Sequence, residues 1–170
     1  MWKKLRRILR HRWLDEADLR RALPADLLGR LAARVAASER RHGGEIRIHA
    51  EAGLPWSYLW RDATPRERAV TLFGKLRVWD TEQNNGVLIY LLLAEHAIEI
   101  VADRGLARQV PPAQWQAIVG GMSRAFREGR FEDGLTQALE EVSALLVQHF
   151  PQAGVAAAGN ELPDHPTLGD

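Results

Sequence analysis

Two short segments of the chain are rich in side chains that could bind a cation. The predicted metal ligands are Asp80, Glu82, Asn84 and Asp103. Carboxylate and amide oxygens are hard ligands, of the kind that Ca²⁺ and other divalent cations prefer in proteins. The sequence therefore predicts a weak site for Ca²⁺ or another divalent cation, provided that the fold brings the two segments together.

Polar and glycine residues beside these ligands could bind an anionic group. The predicted ligand-binding residues are Asn85, Gly86, Arg104 and Gly105. A guanidinium such as that of Arg104 can hold a phosphate through two parallel hydrogen bonds. The alternative interpretation is that these segments are ordinary turns, in which Asn, Asp and Gly serve the backbone. The segment is not an EF-hand, because position 12 of a loop that begins at Asp80 is Leu91 and not Glu.

Two predicted strands position the candidate residues. Residues 86–93 are apolar on both faces, which is typical of a central strand covered by helices, and residues 97–103 form the next strand. Only three residues separate them, so they must pair as an antiparallel hairpin. A hairpin brings its outer ends together, and we therefore expect Asn85 and Asp103 to lie side by side on one edge of the sheet.

The remaining pattern predicts helices around a mixed sheet. Helices are expected over 23–41, 65–76, 112–127 and 131–150, and a strand over 45–50. Thr64 and Glu67 have the spacing of a capping box at the start of the second helix. The strand alternates polar and apolar residues, which predicts one covered face and one exposed face, with His49 on the latter. Its connection to residue 86 is long enough for a parallel crossover.

The two ends of the chain differ from the central region, which we place at 14–150. Residues 1–13 contain six Lys or Arg and no Asp or Glu, and they have the spacing of a short basic amphipathic helix. Residues 151–170 are rich in Ala, Gly and Pro without any period, which predicts a disordered tail.

The basic segment has two interpretations. It could make weak contact with an anionic membrane surface through residues 2–13, or it could be a solvated arm or a helix docked on its own domain. It does not resemble a secretory signal, so we expect a cytoplasmic protein, at most peripheral to the inner membrane face. Residues 14–170 have a net charge of −5 and lack a basic stripe, so no nucleic-acid partner is expected.

Composition excludes several classes of protein. The 170 residues are 46% hydrophobic and 26% charged, which fits one globular domain and neither wholesale disorder nor a membrane bundle. The absence of cysteine excludes disulfides, thiol nucleophiles and cysteine-bound zinc. Phosphate-binding, dinucleotide, zinc-protease and serine-hydrolase motifs are also absent, so the motifs do not indicate a reaction.

Several segments in one order resemble the TPM-domain family. They are residues 31–48, 67–73, 84–89, 98–106 and 126–135, among which Asn-Asn-Gly-Val-Leu at 84–88 and Phe-Arg-Glu-Gly-Arg-Phe-Glu-Asp-Gly-Leu at 126–135 are the most specific. The resemblance implies an α/β fold, a three-layer α-β-α sandwich with a small mixed β-sheet. It also implies divalent-cation binding at acidic loop residues in some members, and a phosphatase activity attributed to a plant member.

Two functions remain open at this stage. The first is an accessory or interaction module with a weak divalent-cation site and an unknown protein partner. The second is a metal-assisted acid phosphatase, a phosphomonoesterase in which the same oxygens hold the ion and Arg104 holds the phosphate.

Overall fold

A computed structural model of the chain describes residues 2–151 and 162–169. The helices are α1 (Trp2–Trp13), α2 (Glu16–Ala22), α3 (Ala25–Glu39), α4 (Trp56–Trp60), α5 (Pro65–Lys75), α6 (Arg104–Ala107), α7 (Pro112–Arg127) and α8 (Phe131–His149). The strands are β1 (Ile46–Glu51), β2 (Val87–Leu92), β3 (Ala97–Ala102) and β4 (Thr167–Gly169).

The four strands form one mixed sheet in the order β3-β2-β1-β4. β1 and β2 are parallel and are connected through α4 and α5, whereas β2 and β3 are antiparallel. A short 3₁₀ turn over Leu93–Glu95 reverses the chain between them, and His96 adopts a left-handed backbone conformation with φ of 48°. The predicted mixed sheet and tight hairpin are both confirmed.

Helices cover both faces of this sheet and produce three layers. On one face, α2, α3, α7 and α8 bury a core that includes Ile48, Ile89 and Ile100. On the other face, α4 and α5 pack against side chains such as Leu88 and Tyr90. Alternate residues of β2 and β3 therefore enter different cores, and the predicted α-β-α sandwich is confirmed.

The strand β1 differs from its prediction, because both of its faces are buried. The apolar residues enter the larger core as expected, but Arg47, His49 and Glu51 are each less than 10% exposed on the opposite face. Residues 162–169 contribute the missing cover: Leu162 is buried, and the carbonyl oxygen of Pro163 accepts a hydrogen bond of 2.7 Å from Arg47 Nη1.

The prediction of a disordered tail over 151–170 is wrong for residues 162–169. This segment returns to the sheet as β4, which pairs in parallel with His49, Ala50 and Glu51 of β1. Composition failed here because only three residues of the segment enter the sheet, too few to show a strand period. The rest of that prediction, residues 152–161 and 170, lies outside the described residues.

The basic segment at the start of the chain is the helix α1, as its spacing predicts. The helix packs on its own domain rather than extending from it, because Arg7 and His11 both contact Glu95. Of the two structural alternatives, a frayed arm or a docked helix, the docked helix is therefore correct. No helix among the described residues has both the length and the apolar character needed to cross a bilayer.

The entry to β2 gives a stability prediction. A Cβ atom at Gly86 would overlap the carbonyl oxygen of Val78, whereas one at Gly120, in the middle of α7, would have no neighbour within 4 Å. We expect Gly86→Ala to lower the free energy of unfolding by about 3 kcal/mol. The control Gly120→Ala should raise it by about 0.5–1 kcal/mol, since alanine is the better helix former. Urea denaturation of both variants is the measurement, and an unchanged midpoint for Gly86→Ala would contradict this packing.

Candidate functional site

The candidate residues lie where β2 begins and β3 ends. The register pairs Val87 with Ala102, and the backbone N–H of Asp103 donates to the carbonyl oxygen of Gly86 over 2.8 Å. One step further out, the N–H of Gly105 donates to the carbonyl oxygen of Asn84 over 2.9 Å. The two segments are therefore joined along one edge of the sheet, as the hairpin prediction requires. We call this edge, residues 83–86 and 103–105, the cation rim.

A turn before β2 fixes the backbone of the rim. Asn84 has a left-handed conformation with φ of 52°, which asparagine tolerates better than most residues. The side chain of Thr81 accepts a hydrogen bond of 3.1 Å from the N–H of Asn85. Gly105 packs so tightly here that a Cβ would lie 2.7 Å from the carbonyl oxygen of Gln83. Gly86 and Gly105 thus permit close contact between segments of the chain.

Asn85 is completely buried at the rim, and its amide is only half satisfied. The Nδ2 atom donates a hydrogen bond of 2.8 Å to the carbonyl oxygen of Gly43. The Oδ1 atom is buried and has no hydrogen-bond partner among the described residues. An unsatisfied buried acceptor costs about 1–3 kcal/mol, so this oxygen is a ready ligand for a cation or a water molecule.

Asp103 presents a second oxygen of this kind on the neighbouring strand. The residue is 8% exposed and caps the short helix α6, where Oδ1 accepts a hydrogen bond of 2.6 Å from the N–H of Arg104. Its Oδ2 atom is buried and has no hydrogen-bond partner among the described residues. The rim therefore holds one amide oxygen and one carboxylate oxygen that remain available to a ligand.

The other predicted ligands lie nearer the surface. Asp80 has a half-exposed side chain 4.0 Å from the guanidinium of Arg77, and Glu82 is also exposed. Asn84 is partly buried, and Arg104 is exposed. Across residues 2–151 and 162–169, no three acidic or histidine side chains come together as ligands of one metal ion. Asp80, Glu82 and Asp103 thus do not form one acidic site, and Asn85 and Asp103 lie on the adjoining ends of β2 and β3.

A second polar cluster, which the sequence did not indicate, lies beneath α5. Glu51 is 2% exposed, and its carboxylate forms an ion pair with Arg68 in which Nε lies 2.9 Å from Oε2. The hydroxyl of Tyr90 donates to the same oxygen over 2.7 Å. His49 lies beside them, with Nδ1 at 2.7 Å from Oγ1 of Thr167. We call these residues the Glu51 cluster.

Local electrostatics keep the Glu51 cluster charged. Burial alone raises the pKa of Glu51, but hydrogen bonds from Arg68 and Tyr90, with the His49 ring nearby, outweigh this effect and lower the pKa to about 2. Burial and the nearby Glu51 carboxylate raise the pKa of the Tyr90 hydroxyl, which keeps it protonated as a donor. Because Arg68 and Tyr90 both donate to Glu51, the cluster serves as a fixed structural ion pair between β1 and α5.

The alternation of polar and apolar residues along β1 is why the sequence did not indicate this cluster. Polar residues at every second position predicted a solvent-facing strand surface, and no local pattern shows that α5 supplies Arg68 or that residues 162–169 supply the cover. Gly169 closes over the cluster so tightly that a Cβ there would lie 2.7 Å from Cγ of Glu51.

Comparison with known proteins identifies the family. The sequence profile of the TPM domain matches residues 17–145, which is most of the chain. The chain belongs to the TPM-domain family. The match contains both segments of the cation rim and the Glu51 cluster up to Tyr90, but it excludes α1 and β4.

Solved structures share the fold of this TPM domain. The BA42 protein of the psychrophilic bacterium Bizionia argentinensis is 26% identical, with a TM-score of 0.73 over 86% of this chain and 95% of that one. The N-terminal domain of a P. gingivalis protein is 19% identical, with a TM-score of 0.60 over 78% of this chain and 83% of that one. The latter likeness concerns the fold alone. No curated protein matches the sequence significantly.

The Glu51 cluster predicts that the free energy of unfolding of the domain falls in a specific range of acid pH. Folding lowers the pKa of Glu51 from 4.5 in the unfolded chain to about 2. The contribution of Glu51 to the free energy of unfolding is therefore complete above pH 4.5 and is lost as the pH falls towards about 2. Glu51→Gln should lower the free energy of unfolding near neutral pH by about 3 kcal/mol, because it leaves Arg68 buried without an anion. It should also flatten the pH dependence between these two values.

The control for this experiment is Glu132→Gln. Glu132 pairs with Arg30 on the surface, where solvent screens the charges, so this variant should follow the wild-type curve closely. Denaturant unfolding across this pH range measures both variants. If the free energy of unfolding of Glu51→Gln has the same pH dependence as that of the wild type, the ion pair does not determine the loss of stability at acid pH.

Proposed function

We propose that this TPM domain acts as an accessory or interaction module whose cation rim binds a divalent cation, with Ca²⁺ the first candidate. One observation supports the proposal: two neighbouring strand ends each hold a buried oxygen, Oδ1 of Asn85 and Oδ2 of Asp103, that has no hydrogen-bond partner among the described residues. A hard cation is a ligand that satisfies oxygens of this kind.

The donor set fits a weak site rather than a tight one. Asp103 would supply the single carboxylate, Asn85 would supply an amide oxygen, and water would complete the coordination of an ion that takes six to eight oxygens. Affinity for Ca²⁺ rises with the number of charged ligands, so one carboxylate corresponds to a dissociation constant on the order of 10⁻⁴–10⁻³ M. When bound, the ion would neutralise Asp103 and join the entry of β2 to the end of β3.

Such an ion would act on the surface that a partner protein meets. Arg104 in the rim and Glu82 beside it both have exposed side chains. A cation bound at the rim would therefore change the charge of this surface. The role that we assign to the module is to bind a protein partner at this edge when the ion occupies the cation rim. The composition contains no cysteine, which fits a reducing compartment, and the cytoplasm is the location that we propose.

The alternative function is a metal-assisted phosphomonoesterase. Its support is the family resemblance and the position of Arg104, which follows Asp103 directly and has an exposed side chain that could reach a phosphate. The module is the better supported of the two, because among the described residues no group of three acidic or histidine side chains includes Asp103.

Calorimetric titration with CaCl₂ tests the cation site. We expect saturable binding to the wild-type chain and a loss of affinity of at least about tenfold in Asp103→Asn, which removes the only carboxylate at the site. Asp80→Asn, which changes an exposed residue nearby, should alter affinity less than about threefold, since solvent screens its charge. Asp26→Asn on α3 is a distant control and should bind as the wild type does. Equal affinity in Asp103→Asn, or no heat with calcium, magnesium or manganese at millimolar concentration, would refute the site.

Hydrolysis of p-nitrophenyl phosphate separates the module from the enzyme. With calcium, magnesium or manganese present, we expect no turnover above the rate in buffer at any pH. Turnover that requires the metal and disappears in Asp103→Asn would establish the phosphatase and reject the module.

A further inference from the structure

The helix α1 is fixed to the domain by one face only. Arg7 contacts Oε1 of Glu95 and Oδ1 of Asp62, in each case at 2.7 Å. The His11 ring lies between Glu95, 2.8 Å from Nε2, and the N–H of Leu54, which donates to Nδ1 over 3.0 Å. Because Nδ1 accepts, Nε2 bears the proton and donates to Glu95. These contacts determine which face of the helix remains outside.

The outer face of α1 is an apolar stripe in contact with solvent. Trp2 is 81% exposed, Leu5 49%, Leu9 47% and Trp13 83%. Their spacing of three, four and four residues places them on one side of the helix, away from Arg7 and His11. Two fully exposed tryptophans on one short helix are unusual for a soluble surface, where large apolar side chains are normally scattered singly.

Positive charge borders this stripe without any negative charge on the same helix. Arg6, Arg10 and Arg12 are exposed, and α1 contains no acidic residue. The rest of the chain has a net charge of −5, so the positive potential is concentrated at this end of the molecule. The surface therefore combines apolar side chains with cations, which is the combination that anionic lipid attracts.

Two more exposed tryptophans lie beside α1, next to Lys4 rather than next to the apolar stripe. Trp60 is 67% exposed, and its ring centroid lies 5.8 Å from Nζ of Lys4. Trp56 is 56% exposed, with its ring 6.1 Å from that of Trp60. We call the exposed side chains of α1 the arm surface.

We propose that the arm surface binds an anionic lipid bilayer. Tryptophan partitions to the boundary between headgroups and acyl chains, where its ring is buried and its N–H remains hydrated. Leu5 and Leu9 would enter the same boundary, while the flanking arginines meet lipid phosphates. Since α1 is already folded and docked, binding requires no ordering of a flexible arm, and the domain would be held at a fixed orientation.

The arm surface lies outside the part of the chain that the family profile matches. The profile covers residues 17–145 and so begins after α1. The cation rim consists of other residues, so the proposed membrane binding does not rest on the proposed cation site.

Co-sedimentation with vesicles tests the proposal. The wild-type chain should bind vesicles that contain phosphatidylglycerol, bind pure phosphatidylcholine much more weakly, and dissociate as salt is raised. Arg6→Glu/Arg10→Glu should lower the partition coefficient at least about 25-fold, since each arginine near an anionic surface contributes on the order of fivefold. Trp2→Ala/Trp13→Ala should lower it at least about tenfold.

Matched controls distinguish the arm surface from general effects. Trp79→Ala removes another half-exposed tryptophan outside the arm surface, and Arg40→Glu/Arg124→Glu makes the same charge change on exposed residues of the opposite layer. Both controls should bind vesicles as the wild type does, and all variants should keep the wild-type melting temperature.

Three outcomes would overturn the proposal. The first is equal binding of the wild type to neutral and anionic vesicles, and the second is unchanged binding of the two arm variants. The third is a concentration-dependent dimer, seen by light scattering without lipid and abolished by Trp2→Ala/Trp13→Ala, since the arm surface would then serve a second copy of the chain.

Discussion

The antiparallel register between β2 and β3 is the constraint on which the candidate site depends. The 3₁₀ turn at Leu93–Glu95 closes the hairpin and pairs Val87 with Ala102, so the next residues outward, Gly86 and Asp103, also bond through their backbones. A shift of one residue would turn Asp103 to the other face of the sheet. The position of Asn85 and Asp103 at one edge thus follows from backbone geometry.

Buried charge imposes a second constraint, at the other side of the sheet. β1 places Arg47, His49 and Glu51 in a region with little water, which is tolerable only because α5 supplies Arg68 and residues 162–169 supply hydrogen bonds and cover. The family profile ends at residue 145, yet in this chain the later segment completes the environment of charged residues inside it. Stability of β1 and the position of the C-terminal segment are therefore linked.

Much of this architecture follows from local signals in the sequence. The capping box at Thr64, the apolar strand β2 and the helix over 112–127 are formed as predicted, because each depends on neighbouring residues. Features that depend on distant parts of the chain were not predictable: the buried polar face of β1 needs cover from residues more than 110 positions away, and Asn85 is buried because Gly43 lies against it. The edge shared by Asn85 and Asp103 is formed as predicted, because it depends only on the register of the hairpin.

Calcium titration of the ¹⁵N-labelled chain, followed by NMR, tests the central claim most directly. The account predicts saturable shifts of the Asn85 side-chain amide and of the Arg104 and Gly105 backbone amides, with α7 unaffected. Shifts confined to the backbone amides of Asp80 and Glu82, or no saturable shift at all, would contradict it.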